Sequence, residues 1–228
     1  IQDYGHIIVD ECHHLSAPRF EMVLNEVRAK YVLGLTATPE RQDGHQKIIF
    51  MAAGPIRYKV KQSSDEQFTQ TVMIHQLYDI PSAELIKTDE RPKISDAYRW
   101  LVDNGHRTSK IVSDAFQWVQ NGGHPLVLTE RREHAEEIHS QLTKMSISTV
   151  VLKGAMKAAE RKNADNHLQS AQVVVATGKY VGEGFDLPRL DTLFLAMPIA
   201  WKGTLAQYAG RIHRESEGKT QVTIHDYV

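Results

Sequence analysis

The chain has 228 residues, 41% of them hydrophobic, with 27 basic against 28 acidic side chains and a formal net charge of -1. This excludes a disordered, collagen-like or low-complexity chain and a uniformly basic coat, but not a local basic channel. A single cysteine, Cys12, rules out an intrachain disulfide and points to a reducing compartment, so a cytoplasmic location is expected. No apolar run approaches the roughly 18–20 residues that span a bilayer, and no membrane partner is expected. The chain opens at Ile1 without a signal peptide and reads as a piece of a longer protein.

In chain order, His6 to Val9 is a short apolar run ending in Asp10-Glu11, read as a buried parallel strand. Ser16 is a candidate N-cap, followed by Pro18 and by Phe20, Val23, Leu24 and Val27 on one helical face. Tyr31 to Leu35 reads as a second buried strand ending in Thr36-Ala37-Thr38-Pro39, which completes a parallel α/β unit. Residues 60–92 are polar and irregular, with a strand expected within Thr71 to Ile80, and the domain boundary is expected near residue 90.

Beyond it the elements alternate. A helix over about 108–120 (Ile111, Ala115, Val119) stops at Gly122-Gly123. A strand at Leu126 to Leu128 follows, then a helix from Arg132 to Lys144 and a strand from Thr149 to Leu152. A polar helix over about 156–168, strands at Val173 to Ala176 and Thr192 to Ala196, a helix from Leu205 to His213 and a last strand at Val222 to Tyr227 complete the series. That is a doubly wound parallel sheet covered on both faces. Residues 1–90 carry 9 basic and 13 acidic side chains, and residues 91–228 carry 18 and 15. The asymmetry fits ordinary scatter or a second part that faces a polyanion.

Three segments carry chemistry. Asp10-Glu11-Cys12-His13 places two carboxylates beyond the carboxyl end of a strand, where α/β sheets bind ligands. The pair suits Mg²⁺ and an oriented water, although alone it fits a solvated strand-end turn better. Thr36-Ala37-Thr38-Pro39 ends the next strand and points to the same crevice. Gln207, Arg211 and Arg214 are spaced by four and three, so they are expected on one helical face as a fork for phosphate oxygens, or as a surface ion-pair ladder with Glu215 and Glu217. Consecutive Cys12, His13 and His14 are poorly spaced for zinc. His213, Trp100 and Trp118 read as packed residues, and Trp201 as a loop residue.

DECH, TATP and QYAGRIHR, in that order, resemble motifs II, III and VI of superfamily 2 helicases. Ala176-Thr177-Gly178-Lys179 with Gly182-Glu183-Gly184-Phe185-Asp186 resembles motif V, and Leu126 to Arg131 resembles motif IV, followed by Leu152-Lys153-Gly154. LGLTATPERQDG and GKTQVTIHDYV are similar to the DEAD/DEAH-like group that holds type III restriction Res subunits and XPB-like translocases.

The resemblance implies two RecA-like parallel-sheet domains: residues 1–90 as the C-terminal part of the first plus a linker, and 91–228 as the second. It implies ATP and Mg²⁺ as ligands and a nucleic acid, DNA before RNA, as partner, with restriction or repair subunits as further partners. Asp10 would hold Mg²⁺, Glu11 would activate water, and His13, Thr36 and Thr38 would couple hydrolysis to strand movement. Gly184, Asp186 and Gln207 would approach the nucleotide, and Arg211 and Arg214 would complete the γ-phosphate site. Arg131, Thr177 and Lys179 would contact the nucleic-acid backbone.

The family's phosphate loop, G-x-x-x-x-G-K-[ST], is absent. Gly218-Lys219-Thr220 does not supply it, because His213 stands where the first glycine belongs and a strand follows instead of a helix. The first domain is thus expected to lack its phosphate-loop strand, leaving Tyr31 to Leu35 as an apolar edge open to self-association. This chain alone is expected to hydrolyse ATP barely or not at all. Two other readings stay open: a duplex-DNA translocase subunit of a restriction or repair complex, and a non-enzymatic nucleic-acid-binding module.

Overall fold

The computed structural model describes residues 4–13, 22, 26, 28–37, 46–60, 69–80, 93–154, 156–181, 186–199 and 202–228, without the side chains of 46, 179, 202 and 203. The chain divides into two compact units, Ile1–Asp65 and Glu66–Val228. No helix among the described residues is long and apolar enough to cross a membrane.

In the first unit, β1 (His6–Val9) and β2 (Tyr31–Gly34) pair in parallel, from His6 opposite Tyr31 to Val9 opposite Gly34. Helix α1 (Gln46–Ala53) packs Ile49, Ala52 and Ala53 against Val9 and Cys12. The two strands were expected to be buried on both faces, and they are not. Exposure alternates, with Ile8, Tyr31 and Leu33 open and Ile7, Val9 and Val32 partly covered. The cause is that α1 covers one face of this small sheet. Gly34 is required where the layers meet, since a Cβ there would lie 2.9 Å from Cys12 Sγ and 3.0 Å from Ala53 Cβ. The helix expected after Ser16 lies outside the described residues.

The second unit is a six-stranded parallel sheet in the order β3-β8-β7-β4-β6-β5. Its strands are β3 (Thr69–His75), β4 (Pro125–Thr129), β5 (Thr149–Leu152), β6 (Val173–Thr177), β7 (Thr192–Leu195) and β8 (Gln221–Tyr227). Its helices are α2 (Ile94–Asp103), α3 (Gly105–Gln120), α4 (Arg132–Lys144), α5 (Ala158–Leu168), α6 (Gly178–Val181) and α7 (Lys202–Ile212). Alternate residues of each central strand feed opposite cores. Leu126, Leu128, Val174, Leu193 and Leu195 meet Tyr208 and Ile212 of α7. Val127, Val173, Val175 and Phe194 meet Ile111, Ala115, Ile138 and Leu142 of α3 and α4. Helix α3 ends as its glycines predict: Gly122 (φ 85°) and Gly123 donate to the carbonyls of Val119 and Trp118, a Schellman closure.

The units divide after Asp65, not near residue 90, because β3 commits its backbone to the second sheet. It pairs along its whole length with β8, from Thr69 opposite Gln221 to His75 opposite Tyr227. Side chains reinforce that pairing. His75 Nε2 lies 2.9 Å from His225 Nδ1, and His225 stacks on Phe194 at 4.2 Å between ring centroids. Tyr227 stacks on His75 and donates its hydroxyl to Asp114 at 2.7 Å, and Lys110 holds the other carboxylate oxygen at 2.6 Å.

A second buried histidine, His134, closes a one-way chain of hydrogen bonds. Thr108 donates to the Asn104 carbonyl (3.2 Å), so its oxygen accepts from His134 Nε2–H (3.2 Å). His134 Nδ1 then accepts from Thr129 Oγ1 (3.0 Å), whose oxygen accepts the Arg131 amide (3.4 Å). This direction requires a neutral ring.

Burial, first, pushes both His134 and His225 down from 6.5 to about 4. The unfolded chain therefore binds protons that the fold refuses. The stability held above pH 6.5 is lost as pH falls toward 4, by about 3 kcal/mol per histidine at most. Urea unfolding across pH 7.5 to 4 should show this decline, and His225→Phe, which keeps a ring in the stack, should flatten part of it. A stability curve level between pH 6.5 and 4.5 would contradict the neutral-histidine account.

Candidate functional site

In the first unit, the sequence beyond β1 folds into a tight turn. Asp10 Oδ1 accepts the Glu11 amide at 2.9 Å, and Glu11 takes a left-handed backbone conformation (φ 47°), costly for a residue with a Cβ. The turn is stitched to the end of β2: Leu35 N–H donates to Val9 O at 2.9 Å and Cys12 N–H to Leu35 O at 2.8 Å. His13 Nδ1 then lies 3.0 Å from Thr36 Oγ1 and 3.2 Å from Glu11 Oε2. Glu11, His13 and Thr36, expected from separate motifs to act together, therefore meet in one corner. Thr38 lies outside the described residues.

Asp10 is exposed and the Glu11 side chain is 43% exposed, so carboxylate oxygens at this strand end reach solvent. No group of three or more His, Cys, Asp or Glu among the described residues forms a closed cage. The donor set of two hard carboxylates fits Mg²⁺, which keeps most of its waters and takes one or two protein oxygens. Cys12 is buried under Gly34, and burial raises its thiol pKa, so it stays a protonated packing residue.

In the second unit the candidate residues fall into two sets. Arg131 and Thr177 stand at the carboxyl ends of neighbouring strands, where Thr129 is opposite Thr177. Arg131 is the N-cap position of α4, and its guanidinium sits 5.7 Å from the centre of the Tyr98 ring. Thr177 is buried, and its hydroxyl accepts the Gly154 amide at 3.4 Å, which joins the motif V strand to the turn after β5. Lys179 is the second residue of the short α6, with its side chain outside the described residues. A Cβ at Gly178 would overlap the Tyr208 hydroxyl and the Glu130 carboxylate, so those side-chain ends would have to shift.

The other set lies toward the segments that enter β7 and β8. Arg214 Nε is 3.4 Å from Asp186 Oδ1, with both side chains about half exposed (48% and 51%). Gln207 and Arg211 are partly buried on α7. Arg214 does not share that helical face, because α7 ends at Ile212 and His213 turns back to the Ala209 carbonyl at 2.7 Å. Gly184 and Trp201 lie outside the described residues. Trp118 is a packed residue, its Nε1–H donating to Asp191 at 3.1 Å.

Sequence reasoning missed Tyr98, whose ring lies by the Arg131 guanidinium, and His134, which fixes the Thr129 hydroxyl that accepts the Arg131 amide. The signal available for Tyr98 was the apolar spacing of α2, an element the polar flanks of residues 81–92 obscured.

Two family descriptions match the chain: "Type III restriction enzyme, res subunit" over residues 2–41 and "Helicase conserved C-terminal domain" over residues 107–216. A protein of Acanthamoeba polyphaga mimivirus named as an ATP-dependent RNA helicase is 26% identical over 239 aligned residues, covering 100% of this chain and 44% of that protein. The "DNA 3'-5' helicase XPB" of Mycobacterium tuberculosis is 47% identical over 57 residues, 25% of this chain and 10% of that protein. The chain thus spans about half the length, or less, of these relatives. In fold it is similar to Saccharomyces cerevisiae Dbp5 bound to RNA and ADP–BeF3, with a TM-score of 0.61 at 13% identity, covering 100% of this chain and 54% of that one. Read with motifs II to VI in order, the two family matches support a fragment similar to superfamily 2 helicases, and the fold is that of such helicase domains.

Proposed function

We propose that the protein to which this chain belongs couples ATP hydrolysis to movement along a nucleic acid. Asp10 would hold Mg²⁺, which supplies charge neutralisation at the phosphates, and Glu11 would orient and deprotonate the attacking water. The second unit would bring Gln207, Arg211, Arg214, Asp186 and Gly184 to the nucleotide. Arg131, Thr177 and Lys179 would grip phosphates of the nucleic acid without reading sequence. Closing on ATP and opening after hydrolysis would move the strand by differential affinity.

The observation that carries this reading is the His13 contact with both Glu11 and Thr36 (3.2 and 3.0 Å). It ties the carboxylate expected to handle water to the Thr36–Thr38 turn expected to relay movement. A change at one is felt at the other through a single imidazole. The relatives' names divide between RNA and DNA, so the polymer is open. A duplex-DNA translocase is favoured as second reading by the restriction-subunit match over residues 2–41.

In the full-length gene product, Glu11→Gln should lower ATP turnover by about 10²- to 10⁴-fold and leave ATP binding within a few fold. Undiminished turnover removes Glu11 from this role. Thr36→Val should keep nucleic-acid-stimulated ATP turnover within about three-fold while stepping is lost. Strand displacement and triplex displacement, run side by side, read the stepping and separate unwinding from duplex translocation. Equal loss of hydrolysis and stepping in Thr36→Val would show that the contact serves chemistry and not coupling.

A further inference from the structure

Gly218-Lys219-Thr220 has the letters of a phosphate loop and none of its structure. Gly218 adopts φ 78° in a turn closed by Lys219 N–H to the Ser216 carbonyl at 3.1 Å. That turn aims the lysine inward. Its ammonium donates to the carbonyls of Arg214 (2.8 Å), Pro188 (3.0 Å) and Leu190 (2.6 Å). The ammonium is thus engaged by the protein's own backbone carbonyls.

The three acceptors are not scattered. The Arg214 carbonyl belongs to the residue that pairs with Asp186. Pro188 and Leu190 belong to the turn that begins immediately after Asp186, closed by Leu190 N–H to Leu187 O at 3.1 Å. Lys219 therefore ties together the backbones on both sides of the Asp186–Arg214 pair. Arg214 follows the end of α7, and the turn leads as loop into β7 at Thr192.

We infer that Lys219 is a positioning residue for Arg214: it fixes the loop that presents this guanidinium, and Asp186 beside it, to the reacting nucleotide. The inference rests on Arg214 serving ATP hydrolysis as proposed above. A guanidinium acting on developing phosphate charge must sit within a fraction of an ångström of its place, and a displacement of about 1 Å can cost 10²-fold in rate. A ligand-free lysine behind the loop is a means of holding that place.

The test uses the full-length protein, with steady-state ATP hydrolysis saturated in nucleic acid. Lys219→Gln should lower kcat about ten-fold with KM for ATP within two-fold. In an Arg214→Ala background the same change should cost nothing further, because the group it positions is gone. Lys219→Arg, which keeps the cation, should recover part of the loss. Gly218→Ala is the milder companion: a Cβ there meets nothing within 4 Å, so only the turn that aims the lysine is strained. It should reduce kcat less, in the same non-additive way. Equal kcat losses with and without Arg214, or a fall in melting temperature with kcat unchanged, overturns the positioning role alone. An Arg214→Ala protein with normal kcat overturns the role of Arg214 as well.

Discussion

A parallel sheet buried on both faces has no room for polar chemistry along its strands, and that constraint arranges everything else in the second unit. Pro125–Thr129 and Val173–Thr177 are buried at every position. Their polar residues can lie only at the ends, and the two ends are used differently. At the carboxyl end, Thr129 and Thr177 spend their hydroxyls on His134 and on the Gly154 amide, and Arg131 is left on the rim against Tyr98. At the amino end, the charged groups are absorbed by backbone. Asp191 accepts the His124 amide and Trp118 Nε1–H, Arg189 donates to the carbonyls of Leu168 and Ala171, and Lys219 donates to three more. Burying such groups is tolerable where they are paired, and removing one partner costs more than the pair itself contributes.

That contrast explains why much of the fold was legible and where legibility failed. Fully buried strands such as Leu126–Leu128 and Val173–Ala176 announce themselves as apolar runs, and the Gly122-Gly123 pair marks the end of α3 through its φ > 0 requirement. Strand β3 was legible as a strand but not as a member of the second sheet. Its residues Val72, Met73 and Ile74 are exposed at an edge, so nothing in their pattern says which sheet they join. Its partner lies far off in the chain: His75 contacts His225 and Tyr227, about 150 residues away in sequence. Pairing across such a distance leaves no local trace.

The candidate site divides in the same way. The Asp10-Glu11 and Thr36 motifs could be placed at two strand ends because parallel strands end on the same side, and His13 does meet Thr36. Arg214 was misplaced because a helical repeat was extended past its stop. Spacing of four and three describes a helix only while the helix lasts, and α7 gives out at Ile212, where the His213 ring takes the Ala209 carbonyl. The arginine then needs another support, and the sequence hides it inside a tripeptide whose letters advertise a different task.

Identical letters acquire opposite uses from the element that follows them. A Gly-Lys-Thr before a helix turns its amides and ammonium outward, because the first N–H groups of a helix have no partner in the chain and an anion completes them. The same letters before β8 meet the reverse condition. Strand amides are taken by the neighbouring strand, and the groups in surplus nearby are carbonyls: Arg214 beyond a helix end, Pro188 and Leu190 in a turn. A cation beside surplus carbonyls is drawn inward, and burial lowers the Lys219 pKa without removing the partners that keep it charged. The side chain is thereby spent on the protein's own backbone, and its influence on a nucleotide can run only through the residues it holds.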